Sequence, residues 1–303
     1  MLFQKILAFF IGIFYAATGS LGIVTGDSMY GHEFPIIEAA ELADGDIRIM
    51  SFNTRYSDVN GVGLFFRKDI IREQIAELQP DSVGLQEATR ATMKYLRRNL
   101  TGYKCVGVDR DHGKENGKGE YTAIFYREDK YTAVDSGNFW LSETPDEPSY
   151  GPEAGCRRVC TWVILENKET GIRFVHINTH FDNVSGNART FAANMLSEYI
   201  KANFDGMNVV FTADMNTNYG APYNKMTSVL ADTRYSAEDS QLYCTFHDGN
   251  PETRADCVLD YVLCSPEIKV SSFRAVTAGV AGRMSSDHFP IYADIRLPEQ
   301  SER

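Results

Sequence analysis

From Asp46 onward, short apolar runs recur along the chain, separated by polar intervals. The runs are "IRIMSF", "SVGLQE", "YTAIFY", "RVCTWVIL", "IRFVHIN", "NVVFTA", "VLDYVL" and "IYADIRL". They are rich in Val, Ile, Phe and Tyr, and several end in Gly, Asn or Asp, which predicts β-strands closed by turns. Three intervals carry a helical period instead. In "FRKDIIREQIAELQP", Ile71, Ile75 and Leu78 share a face, and Pro80 stops the helix. In "TMKYLRRNL", Met93, Leu96 and Leu100 do the same. In "NARTFAANMLSEYIKANFDG", Ala188, Phe191, Ala192, Met195, Tyr199 and Ile200 form one wide stripe, with Gly206 placed to end it. Strands interleaved with helices predict an α+β fold, an α/β sandwich. The chain shows no internal repeat, low-complexity run or Pro/Gly-rich hinge, so one domain is expected.

The first residues, "MLFQKILAFFIGIFYAATGSLG", hold one lysine and then an apolar run from Ile6 to Ala17. That run is short for a membrane span and is followed by small residues, as in a secretory signal. Residues 1–26 are therefore expected to be a signal or N-terminal anchor, 27–45 an acidic linker, and 46–303 the folded domain. A buried first strand or helix is the competing account of the same run. With the signal removed, no stable membrane span is expected, and the protein would be periplasmic, extracellular or anchored by its N-terminal segment. The first cysteine is Cys105, which excludes a lipid-modified cysteine just after the apolar run.

With 303 residues and 43% hydrophobic content, the chain can bury a large core. Its net charge of -11 provides no global basic field for a nucleic-acid backbone, and it suits carboxylates gathered around a divalent metal. The six cysteines, at 105, 156, 160, 244, 257 and 264, lack zinc-site spacing. An even count in an exported chain permits disulfides, and at most one is expected. Cys264, after "VLDYVL", reads as a small buried thiol.

Several strand-like runs deliver a polar residue that a metal or a phosphate would take. "MSFNTRY" ends its strand in Asn53, and "SVGLQEA" ends in Glu87. "VHINTHFDN" brings Asn178, His180 and Asp182, and "VVFTADMNTN" brings Asp214 and Asn216. Asp260 lies inside "VLDYVL", and "SSDHFP" carries Asp287 and His288. Each has a plain structural reading too. Asn53, Asn216 and Asp182 are ordinary turn formers, Glu87 is placed to cap the helix near Thr89, and His180 suits a buried core position. Asp260 resists such a reading, because an unpaired carboxylate in an apolar strand is costly and requires a partner. A histidine is the natural one. Catalytic groups are commonly carried at the ends of a rigid scaffold, and here the polar groups cluster at strand termini. Paired carboxylates with oxygen ligands suit Mg²⁺, and Asp with His suits a base acting on water.

The order "SFN … LQE … THFD … ADMN … LDYVL … SDH" resembles the endonuclease/exonuclease/phosphatase superfamily, over roughly residues 46 to 297. That superfamily includes deoxyribonuclease-I-like nucleases, neutral sphingomyelinases and inositol-polyphosphate phosphatases. "NFWLSETPDEP" and "CRRVCTWV" resemble its small exported members. The resemblance implies a four-layered sandwich of two packed mixed β-sheets flanked by helices, with 46–303 as the catalytic domain. It implies a metal, Mg²⁺ or alternatively Mn²⁺, held by Glu87 and Asn53 and touched by Asp287. It also implies that His180 contacts the phosphate and assists the leaving group, and that Asp214 orients the attacking water. Asn216 would hold a phosphate oxygen, with Asn178 a further substrate contact. His288 would polarise the phosphate or activate water, fixed by Asp260. Ala213 and Met215 depart from the usual Gly-Asp-Phe-Asn, and "LDYVL" from Ile-Asp-Tyr-Ile, all at packing positions.

Weaker signals surround this set. Arg158, at the start of a strand, is a candidate for phosphate contact or a surface arginine. The loop from Asp109 to Tyr121, with three glycines and two lysines, reads as a mobile rim loop, with Lys114 and Lys118 as candidate substrate contacts. Tyr126 reads equally as a phosphate donor and as an interior strand residue. The expected activity is metal-dependent hydrolysis of a phosphodiester or phosphomonoester by in-line attack of water. The substrate is nucleic acid, a phospholipid head group, or a sugar or inositol phosphate, and the enzyme is expected to act as a monomer. The acidic total and the absence of a basic helix weigh against duplex DNA. A non-catalytic binding protein on the same fold is the alternative, and a zinc hydrolase would need clustered histidines.

Overall fold

The computed structural model describes residues 41–57, 59, 61–250, 257–277 and 284–298. The expected signal, 1–26, and most of the expected linker lie outside the described residues. Among the described residues, thirteen strands form two sheets. The first runs β10(Asp239–Ser240), β12(Lys269–Ala275), β13(Ile291–Arg296), β1(Ile47–Asn53), β2(Ser82–Gln86), β4(Ile124–Arg127) and β3(Tyr103–Val106). The second runs β5(Tyr131–Trp140), β6(Val159–Asn167), β7(Arg173–His180), β8(Asn208–Asp214), β11(Asp260–Cys264) and β9(Ala231–Asp232). Both sheets are mixed, with β1–β2 and β7–β8 parallel and most other pairs antiparallel.

Helices α1(Leu64–Leu78) and α2(Arg90–Asn99) cover the outer face of the first sheet, where Ile71, Ile75, Met93 and Leu96 pack on Met50, Phe52, Val83 and Leu85. Helix α3(Gly186–Asn203) covers the second sheet with Ala192, Leu196 and Ile200 against Val175, Ile177 and Phe211. Two short helices complete the set, α4(Ala221–Thr227) on the second sheet and α5(Thr233–Ser236). Four layers result, as the resemblance implied. The buried stripe of α3 is Ala188, Ala192, Ala193, Leu196, Ser197 and Ile200. Phe191, Met195 and Tyr199 therefore flank the packed face rather than forming it. Among the described residues, no helix is long and apolar enough to cross a membrane.

Helix ends follow local chemistry. Gln79 takes a left-handed conformation (φ 46) just before Pro80 and returns its N–H to Ile75 O. Thr89 caps α2 by accepting from Thr92 N, and Ser185 caps α3 by accepting from Ala188 N. Gly206, two residues past the cap of α3, carries the positive φ that turns the chain into β8.

Period-two alternation decides what lies between the sheets. The inward positions of β1 are Ile49, Ser51 and Asn53; those of β7 are Phe174, His176, Asn178 and His180; those of β8 are Val210, Thr212 and Asp214. Each row passes from apolar to polar in the same direction. Ile49, Phe174 and Val210 belong to the apolar half of the seam. The polar half is cross-linked by hydrogen bonds. Gln86 Nε2 donates to Ser51 Oγ and to Asn178 Oδ1, while Thr212 Oγ1 also donates to Asn178 Oδ1. Gly84 marks the closest approach of the two sheets. A Cβ there would lie 2.1 Å from Thr212 Oγ1 and 2.6 Å from Asn178 Oδ1, so no larger residue fits.

His176 sits in this seam with Nδ1 2.6 Å from Ser82 Oγ and Nε2 2.8 Å from Thr212 Oγ1. Burial pushes its pKa down to about 3 from 6.5. Between those two values the unfolded chain holds a proton that the folded protein does not, so stability falls as pH drops through that window. His176→Gln keeps hydrogen-bonding atoms but removes the titration. The acid-side slope of unfolding free energy should then fall by up to about 1.4 kcal/mol per pH unit. Urea unfolding of both proteins between about pH 6.5 and pH 4.5 measures this, and parallel slopes would refute it.

Candidate active site

The ends of β1, β2, β7 and β8 share one edge of the sandwich with the beginnings of β11 and β13. The register requires this: Asp260 opens β11 directly opposite Asp214, His180 lies beside Asp214, and Ile291 opens β13 opposite Ser51. Six chain segments therefore deliver side chains to one place. Asn53 is 1% exposed, Glu87 8%, His180 5%, Asp214 1%, Asp260 1% and His288 4%.

Asn53 joins the two metal-type carboxylates. Its Nδ2 donates to Asp214 Oδ2 at 2.8 Å and to Glu87 Oε1 at 3.1 Å. Glu87 Oε2 accepts from Tyr56 N at 2.9 Å, so Glu87 is no helix cap. Asp214 Oδ1 accepts from Asn216 N at 2.9 Å. Asn216 Nδ2 donates to Phe181 O and stands 2.8 Å from His180 Nε2, which must then act as acceptor. His180 is accordingly neutral. Burial holds its pKa well below the usual value, and the nearby charges of Arg158, Arg110 and His288 add to that.

The buried carboxylate of Asp260 has its histidine: His288 Nδ1 lies 2.8 Å from Asp260 Oδ2, with Nε2 facing Asp214 Oδ2 at 3.8 Å. Burial alone would make His288 hard to charge. Asp260 and Asp214, then Asp287, outweigh that and raise its pKa to about 10. Burial likewise raises Asp214 to about 7, opposed by His288 and by the donors from Asn216 and Asn53.

Two sets of possible metal ligands result, Glu87–His180–Asp214 and Asp214–Asp260–His288, each with ligand atoms within 4.8 Å of one another. In the first, the His180 nitrogen is occupied by Asn216, which leaves two carboxylates held apart by Asn53. Oxygen donors of that kind fit a hard divalent cation better than zinc. A cation would also offset the burial that raises Asp214.

The remaining expected residues have partners of their own. Asn178 is two residues below His180 on the same face, fully buried, with Nδ2 donating to Leu85 O and Ala123 O and Oδ1 accepting twice. All its capacity is spent inside the seam, so it supports the site from beneath and has no atom for substrate. Asp287 belongs to neither ligand set among the described residues, and its Oδ2 pairs with Arg55 Nη1 at 3.1 Å. Asp182 closes the loop after β7, accepting from Val184 N and Ser185 N. Tyr126 packs in the apolar seam opposite Ser82, at the far end of β2 from the site. Arg158 does line a cavity together with Glu87 and His180.

The rim loop is not loosely held. Asp109 is fully buried and accepts from the main-chain N–H of Asp111, His112, Lys114 and Gly119. Gly117 is required there, because a Cβ would fall 1.5 Å from Asp109 Oδ2. The expectation that the chain lacks a basic helix also needs correction. Arg90, Lys94, Arg97 and Arg98 lie along α2, lining a cleft of about 310 Å³ with Glu115 and Asn116. Cys105, Cys156, Cys160, Cys257 and Cys264 are free thiols.

One organising residue escapes a motif reading. Arg67 is fully buried in α1, and its guanidinium donates to five carbonyls: Val62, Thr54, Arg55, Ser57 and Ser285. It ties the loop after Asn53 to the loop that carries Asp287 and His288. Its signal was available, since Arg67 shares the helical face of Ile71, Ile75 and Leu78, where an unpartnered charge does not belong.

The family model described as Endonuclease/Exonuclease/phosphatase family matches residues 50–288. Among solved structures, a Bacteroides vulgatus endonuclease/exonuclease/phosphatase is 34% identical, with TM-score 0.77, covering 84% of this chain and 99% of that one. A Bacteroides thetaiotaomicron mannosyl-6-phosphatase is 30% identical, with TM-score 0.77, covering 83% of this chain and 100% of that one. Humanized D. rerio TDP2 shares the fold, with TM-score 0.68 at 18% identity over 84% of this chain and 100% of its own. No curated protein matches the chain. Matching over most of its length in sequence and in structure, the chain belongs to the endonuclease/exonuclease/phosphatase family.

Proposed function

We propose that the chain is an exported, metal-dependent phosphoesterase that hydrolyses a P–O bond by attack of water. The observation that carries this reading is the junction of Glu87, Asn53 and Asp214 with two histidines of opposite charge state. Glu87 and Asp214 would hold Mg²⁺, or Mn²⁺ in its place, and Asn53 fixes their separation. A bound divalent cation supplies charge neutralisation and polarisation of the phosphoryl oxygen.

The protein's own groups divide the remaining work. His288 has Nδ1 tied to Asp260, so its Nε2–H is a donor on the side of Asp214, where it would stabilise charge developing on phosphate. A group charged to about pH 10 cannot serve as the base. Asp214, between His288 and Asn53, is placed to orient the water and take its proton. Neutral His180, whose Nε2 also approaches Asp214 Oδ2, and its partner Asn216 would position the phosphate and the leaving oxygen. The mannosyl-6-phosphatase neighbour supports phosphate-ester chemistry on a sugar as one candidate substrate class.

The metal reading is tested on p-nitrophenyl phosphate and bis-p-nitrophenyl phosphate with Mg²⁺, Mn²⁺ or EDTA. Activity should vanish in EDTA and return with metal, and Glu87→Gln should lower turnover by roughly 10²-fold while weakening metal binding by calorimetry. Full activity in EDTA would end the proposal of a metal.

Asp260→Asn and His288→Ala should each lower turnover by roughly 10²-fold or more, with little change in melting temperature. The double variant should be scarcely worse than His288→Ala, because an orienting acid has no task once its histidine is gone. Strictly multiplicative losses would show that the two residues act independently. Export predicts removal of residues before about Gly26, following the signal pattern. Intact mass of the cell-produced protein decides this, and a soluble product that retains Met1 would rule it out.

A further inference from the structure

Arg158 precedes β6 and is 5% exposed. Its Nη2 donates to Asn183 Oδ1 at 2.9 Å. Its Nε stands 3.7 Å from Asp182 Oδ2, too far for a hydrogen bond, and that oxygen already accepts from Gly155 N. Nε and Nη1 have no hydrogen-bond partner among the described residues. Arg110, which lines the same cavity, is neutralised by Glu120 through Nη1 and Nη2. Arg158 therefore keeps two buried donors without a partner beside Glu87 and His180, whereas Arg110 keeps only its Nε. A buried guanidinium left this way is costly unless an anionic group completes it in the working state.

The cleft beside Arg158 holds about 10 Å³ of space for water-sized atoms and is open to solvent. A terminal phosphoryl oxygen fits that space against the guanidinium. A phosphomonoester also carries a charge of roughly −1.5 to −2 at neutral pH, against −1 for a diester, which matches an added cation. We propose that Arg158 receives the third terminal oxygen of a phosphomonoester, which makes the enzyme a monoesterase that discriminates against diesters. This rests on the phosphoesterase reading above and adds the substrate class to it.

The test compares kcat/KM on p-nitrophenyl phosphate and on bis-p-nitrophenyl phosphate for the full chain with Mg²⁺. The wild type should favour the monoester by about 10²-fold or more. Arg158→Met should lower the monoester value by about 10²-fold and the diester value by no more than about threefold, and Arg158→Lys should recover part of the loss. Calorimetry with inorganic phosphate should show weaker binding to Arg158→Met, with thermal melts reporting that each variant is folded. A wild type that prefers the diester overturns the proposal, as does an equal loss on both esters in folded Arg158→Met. Hydrolysis of neither ester under any metal condition would sink the phosphoesterase reading itself, a result distinct from hydrolysis without discrimination.

Discussion

The carboxylate of Asp214 is almost wholly buried where two sheets meet, and the surrounding structure is arranged to tolerate its charge. An isolated carboxylate there would simply stay protonated. Instead, Asn53 from β1 and Asn216 from the turn after β8 donate to it, and His288, from the approach to β13, brings its positive charge to 3.8 Å. Each of the three is itself held by a second acid or carbonyl, namely Glu87, Phe181 or Asp260. The site is thus one connected network, and the proton inventory belongs to the group as a whole.

Holding these groups requires unfavourable backbone. Arg55, Glu87 and Asn216 all have positive φ, at 54, 54 and 47°, and all three stand just beyond the strands that feed the site. Strain of this kind is expected where a surrounding scaffold over-determines the conformation. Arg67 provides much of that scaffold. By donating to the carbonyls of Thr54, Arg55, Ser57 and Ser285, it binds two loops of the candidate site to helix α1 and satisfies polar backbone that would otherwise be buried alone. The seam below the site acts similarly. Asn178, Gln86, Thr212 and His176 make a polar floor that keeps the two sheets at a fixed spacing, with Gly84 allowing their contact.

Electrostatics vary sharply over short distances in this acidic chain. His180 is neutral and His288 is charged, although both approach the same Asp214 oxygen. The difference lies in their second partners. Asn216 offers His180 a donor, and Asp260 offers His288 an acceptor. Arg158 and Arg110 share a cavity with Glu87, whereas the basic face of α2 lines a separate cleft.

Period and composition were enough to locate β1, β2, β4, β6, β7, β8, β11 and β13 and the three long helices, because those elements bury regular apolar faces. β3, β5 and β12 were not legible. β3 is only four residues, β5 is an edge strand with an exposed polar middle, and "KVSSFRA" alternates too weakly. The need of Asp260 for a partner followed from its apolar neighbours alone. Its choice of His288 depends on β11 and the approach to β13 meeting at one edge, 28 residues apart in sequence. The tertiary structure likewise decided that Asn178 faces the seam with every lone pair and proton engaged, whereas His180, two residues on, reaches the site. Alternation says only that these two share a face. How deep each sits depends on how the second sheet is set against the first, and that is a property of the packed pair, not of either strand.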